Sequence, residues 1–104
     1  MWIFSNNSFV SAVQDRNNPD GLCVRARVKG DLETLFGSDV EVVETFDSDY
    51  RYRCFVSKDR VANTIAQSIR NIEYTNFKNS VDDHDRHDAY LDVWTAMYRY
   101  QHRN

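Results

Sequence analysis

The apolar residues of this chain change their period along its length, and that change most constrains its fold. Leu22, Val24, Ala26 and Val28 alternate with Cys23, Arg25 and Arg27, the two-residue period of a half-buried strand. Val61, Ala62, Ile65, Ala66, Ile69 and Ile72 recur at the spacing of one helical face. Strand-like segments crowd the first half and helical ones the second. A parallel sheet needs a crossover helix between neighbouring strands, so segregated blocks predict an antiparallel sheet of four to five strands, with about three helices gathered on one face. The expected class is α+β.

Within this frame, Trp2-Ile3-Phe4 and Phe9-Val10-Ser11-Ala12-Val13 flank Ser5-Asn6-Asn7-Ser8, whose short polar side chains favour turns, and so predict a hairpin. A second hairpin is expected from residues 40–46 and 50–56 around Asp47-Ser48-Asp49. Leu32, Leu35 and Phe36 predict a two-turn helix between an Asp31 cap and Gly37. Ser57 reads as the cap of a helix over 58–72. Tyr74, Phe77 and Val81 suggest a short helix, and Tyr90, Leu91, Trp94, Met97, Tyr98 and Gln101 a long terminal one. In this scheme Leu22, Val24, Tyr52 and Cys54 lie beneath helices carrying Ile65, Ile69, Trp94 and Met97.

A length of 104 residues suits a single domain over 1–104. The 41% hydrophobic content, with six Phe, six Tyr and two Trp against three Gly and one Pro, excludes a disordered tail. A net charge of -3 removes the global basic field of a non-specific nucleic-acid binder. No apolar run approaches a membrane span, and the first residues lack a basic region and long apolar core; a cytoplasmic protein is expected. Cys23 and Cys54 show no CxxC spacing, and alternation puts them on opposite sheet faces, where they cannot join.

Alternation also directs Arg25, Arg27, Arg51 and Arg53 to one sheet face, with Phe55 in phase. Guanidinium forks suit phosphate or carboxylate, so these five residues form a candidate ligand surface for a nucleotide, a nucleic acid or an acidic protein. The simpler account is a solvated face paired internally, with Glu41 and Glu44 on the adjoining strand supplying the partners.

Asp82-Asp83-His84-Asp85-Arg86-His87-Asp88 places His84 with His87 and Asp88 at helical spacings that suit a divalent cation. It reads more simply as an acidic helix start, and no metal or cofactor is expected. No GxSxG, HExxH or phosphate loop occurs, and the three histidines lack a partnered nucleophile, so no catalytic residue is assigned and an enzyme is not expected. Six tyrosines either seal the core edge or face a partner.

Met1-Trp2-Ile3-Phe4, Asp49-Tyr50-Arg51-Tyr52-Arg53, Tyr74-Thr75-Asn76-Phe77-Lys78-Asn79 and the Tyr90 to Trp94 helix resemble a group of small, uncharacterised bacterial and phage-associated proteins. The resemblance covers most of the chain and implies carriage on mobile elements, with no activity, cofactor or site residue attached. The expected function is a non-enzymatic protein-binding module, in the manner of a small acidic phage-type inhibitor of a bacterial defence complex, an analogy of size and charge. Asp47, Asp49, Asp82, Asp83 and Asp85 would face a basic partner. The alternative is nucleic-acid or nucleotide-phosphate binding through Arg25, Arg27, Arg51, Arg53 and Phe55.

Overall fold

A computed structural model describes residues 1–103. The chain divides into two compact units, Met1–Ile72 and Glu73–Asn104. The first holds a five-stranded sheet in the order β1-β2-β3-β5-β4, every neighbouring pair antiparallel. Its strands are β1 (Trp2–Phe4), β2 (Phe9–Gln14), β3 (Gly21–Ala26), β4 (Val43–Glu44) and β5 (Tyr52–Ser57); its helices are α1 (Asp31–Phe36) and α2 (Lys58–Arg70). The second unit carries a short 3₁₀ turn, Lys78–Ser80, and α3 (His84–Gln101). The α+β class and the antiparallel sheet expected from the order of periods are both present.

Register explains the core. Ile3 pairs with Val10, Ala12 with Val24, Val24 with Cys54, and Ala26 with Tyr52, so these side chains share one face. Helices α1 and α2 cover it, and Leu32, Phe36 and Val61 close a cluster around Val10, Val24, Ala26, Cys54 and Val56. The expected inward set on β3 and β5 is therefore present. Strand β3 ends at Ala26, however, leaving Val28 exposed, and the expected 40–46 strand contracts to two residues. Of that expected strand, Val43 and Glu44 pair with β5, and residues 40–42 lie outside the ladder.

The helix starts follow side-chain chemistry. Ser57 caps α2 by accepting the Arg60 N–H at 3.1 Å, and Asp83 caps α3 by accepting the Arg86 N–H at 2.9 Å. Asp31 is not the expected cap of α1. Gly30, at φ 94°, occupies that position, and the buried Asp31 carboxylate instead accepts the Phe9 N–H at 3.0 Å. Gly37 ends the helix at φ 100°, a backbone region open to glycine. Helix α2 stops at Arg70 rather than at 72, and the short helix expected around Tyr74 to Val81 is a single 3₁₀ turn.

In the second unit Phe77 stacks on Tyr90 at 5.8 Å, with Tyr74 tilted against Phe77 at the same centroid separation. Trp94 stacks on Tyr98 at 5.1 Å and receives the Lys78 ammonium over its ring at 5.1 Å. Trp94 nevertheless stays 49% exposed, and Met97 and Ile69 are more exposed still. This overturns the expectation that these three residues pack over the sheet. The helical period marked apolar stripes on two helices, Ile69 on α2 and Trp94 with Met97 on α3, but Trp94 meets Tyr98 and Lys78 of its own unit.

Candidate functional site

The sheet face opposite the core is organised by register. Trp2 pairs with Ser11, Ser11 with Arg25, Arg25 with Arg53, and Arg53 with Val43, so one row crosses all five strands. The next row on that face runs Val13, Cys23, Phe55. Trp2 is 68% exposed and Phe55 58%, and Val13 and Val43 are exposed as well. An apolar rim thus frames two arginines at the centre.

Tyr50 fixes those arginines. It is buried, with only 3% of its surface exposed, and the guanidinium carbons of Arg25 and Arg27 lie 4.4 and 4.2 Å from its ring centroid. Cations over an aromatic face are attracted by the ring quadrupole. Hydrogen bonds complete the arrangement. Arg25 Nη2 donates to Ser11 Oγ at 2.8 Å, Arg27 Nη1 to the Asp49 carbonyl at 2.7 Å, and Arg53 Nη2 to Ser48 Oγ and the Tyr50 carbonyl. The loop between β4 and β5 is thereby tied to the sheet through neutral oxygens.

The expected internal pairing is met at one arginine of the four. Arg51 Nε lies 3.2 Å from Glu44 Oε1, with its guanidinium over the Phe46 ring at 4.6 Å. Glu41 lies outside the strands, and among the described residues no carboxylate forms an ion pair with Arg25, Arg27 or Arg53. Arg25 Nε and Arg53 Nε are buried without a hydrogen-bond partner. Arg25 and Arg53 are also direct cross-strand partners, a like-charge juxtaposition that disfavours the isolated pair. Phe55 stands in phase on the same face, as its position in the alternation predicts.

The aspartates belong to separate places. Asp47 and Asp49 lie in the loop beside the arginines, where Asp49 Oδ1 accepts the Tyr50 N–H at 3.0 Å and the Ser48 hydroxyl at 3.3 Å. Asp82, Asp83 and Asp85 lie in the second unit, where Asp83 caps α3 and Asp85 falls in its first turn. His84 Nδ1 and His87 Nδ1 stand 3.5 and 3.8 Å from the Asp88 carboxylate. Among the described residues no group of three or more His, Cys, Asp and Glu is placed to hold a metal ion.

Cys54 belongs to the core and Cys23 to the arginine face, both as free thiols. Burial pushes the Cys54 thiol from 9.0 up to about 11, with the nearby Cys23 adding to the rise. A thiol held protonated in this way, as at Cys54, is not poised as a nucleophile.

Two members of this site escaped the sequence pattern. Tyr50 reads as the first residue of a strand, but the strand begins at Tyr52 and Tyr50 turns back onto the arginines. Trp2 joins the face only through pairing of β1 with β2. The one available signal was the Tyr-Arg-Tyr-Arg run itself, which concentrates rings and guanidinium groups. Among the described residues, no helix is long and apolar enough to cross a membrane. Compared with protein-family models, curated proteins and solved structures, the chain has no significant match.

Proposed function

We propose that this chain is a non-enzymatic protein-binding module whose working surface is the outer face of the sheet. The observation that carries the proposal is the set of three guanidinium groups, Arg25, Arg27 and Arg53, held in place without an ion-pair partner among the described residues, inside a rim of exposed Trp2, Val43 and Phe55. Tyr, Trp and Arg are the side chains that dominate binding energy at protein interfaces: Tyr and Trp bury large area while losing few rotamers, and Arg supplies a planar fork of donors. An inhibitor that masks a functional surface of its target needs no more than such a face. The net charge of -3 favours a protein over a polyanion, whose approach the aspartates oppose.

The test is capture from a bacterial lysate on the tagged full chain, with and without nuclease, repeated with Phe55→Glu and with Ile69→Glu on α2 as the control. A captured protein that survives nuclease, is lost with Phe55→Glu and is retained with Ile69→Glu supports the face. Capture abolished by nuclease would replace it with the nucleic-acid alternative. Charge reversal at Asp47 and Asp49, and separately at Asp82, Asp83 and Asp85, measures what the acidic segments add.

A further inference from the structure

We infer that Arg25 and Arg53, with Arg27 beside them, form a ready-made carboxylate site that receives an acidic side chain of the partner. The inference rests on the protein-binding proposal and specifies the chemistry at the centre of that face.

Four observations lead there. First, the chain has 16 acidic residues to 13 basic ones, and yet among the described residues no carboxylate forms an ion pair with these three arginines. The nearest loop turns its Asp49 carboxylate onto its own backbone and Ser48. Second, Arg25 and Arg53 are direct cross-strand partners, whose Cβ atoms stand about 4.5–5.5 Å apart, and both side chains reach Tyr50, Arg25 at its ring and Arg53 at its carbonyl. Two like charges gathered around one residue gain from an anion that bridges them.

Third, the donors are divided. Nη2 of each arginine is spent on Ser11, Ser48 and the Tyr50 carbonyl, and each Nε is buried without a partner. Among the described residues Nη1 of Arg25 and of Arg53 takes no hydrogen bond, and since it is not one of the buried unsatisfied atoms it reaches solvent. One outward N–H donor from each strand suits the two oxygens of a planar carboxylate. Fourth, the geometry is fixed beforehand. Tyr50 stacks under Arg25 and Arg27, and the hydroxyls of Ser11 and Ser48 hold the guanidinium planes, so little rotamer freedom remains to be lost on binding.

A carboxylate is favoured over a nucleic-acid phosphate by the rim and the surroundings together. Trp2, Val43 and Phe55 offer apolar contacts to side chains flanking an acidic residue, and a chain of net charge -3 repels a long polyanion while tolerating one local carboxylate.

The experiment titrates hexaglutamate into the full isotopically labelled chain and follows the arginine Nε–H resonances, with hexaglutamine, inorganic phosphate and oligothymidylate as parallel probes. Saturable movement of the Arg25 and Arg53 signals with hexaglutamate, and none with hexaglutamine, is expected. Arg53→Gln should weaken binding about tenfold or more, as should Arg25→Lys, which keeps the charge but loses the fork. Arg51→Gln, whose parent residue is already paired with Glu44, should leave it unchanged. Unmoved Arg25 and Arg53 signals, an equal loss in Arg51→Gln, or tighter binding of oligothymidylate or phosphate at physiological salt would each overturn the carboxylate site. Hexaglutamate binding combined with no nuclease-resistant capture from lysate would leave the site standing and remove the protein-binding proposal. Capture combined with unmoved arginine signals would do the reverse.

Discussion

Replacing Tyr50 with alanine removes the ring that two guanidinium groups share, and the structure sets the size of the effect. Truncating a buried aromatic side chain costs about 3–5 kcal/mol through lost burial and the cavity left behind. Part of that belongs to the cations at 4.4 and 4.2 Å, which contribute about 0.5–2 kcal/mol each according to their desolvation. A double-mutant cycle isolates one of them. Tyr50→Ala, Arg25→Ala and the double variant are unfolded in urea, and the coupling energy is the amount by which the single losses exceed that of the double. The bond from Arg25 to Ser11 and its repulsion from Arg53 are lost in both arms of the cycle and cancel. One tryptophan lies in each compact unit, so a Trp94→Phe background lets Trp2 fluorescence follow the sheet unit by itself. The expected coupling is about 0.5–2 kcal/mol, or several tenths of a molar in urea midpoint at the usual slopes. A coupling below about 0.3 kcal/mol, the ordinary error of additivity, would refute the view that Tyr50 holds the arginines electrostatically.

Ser57→Ala should destabilise the sheet unit by about 1 kcal/mol through loss of the α2 cap, with Ser57→Asp restoring it, as urea unfolding will measure. Cys54 should resist alkylation in the folded chain up to about pH 9 and react only through unfolding. Because its folded pKa is raised, the unfolded chain gives up this proton first; the stability held by the neutral thiol is complete below 9.0 and is lost progressively as pH rises towards about 11, which unfolding across that window will show. Trp94→Ala should cost no more than about 1 kcal/mol in urea unfolding, since half of the side chain already meets solvent; a loss of several kcal/mol would restore Trp94 to a core.

Period and phase made most of the first unit legible. Alternation in 22–28 and 50–56 assigned Leu22, Val24, Ala26, Cys54 and Val56 inward and Arg25, Arg53 and Phe55 outward, because a pleated backbone leaves no other choice once one face is apolar. Ser57 and Asp83 announced their helices through cap chemistry. What escaped depended on contacts distant in sequence. Asp31 looked like a cap by position, but a positive-φ glycine started the helix and freed the carboxylate for β2. The strand before the 47–49 loop looked long because its residues are β-branched, a preference that counts only where a neighbour supplies the ladder. Trp94, Met97 and Ile69 showed that an apolar helical stripe does not name its partner. The arginines were found by phase alone, but whether they were paired depended on where Glu41 and Glu44 ended up.

The sheet tapers, with six residues in β2, β3 and β5 but three in β1 and two in β4. Exposed edges are where folded chains recruit one another into extended ladders, and recruitment strength scales with the number of free amide and carbonyl groups in line. Margins this short offer a neighbouring copy a few backbone bonds at most. The chain can therefore display tryptophan, phenylalanine and valine on an open surface without inviting strand-by-strand polymerisation, and the partner proposed for that face would be recognised through side chains rather than backbone.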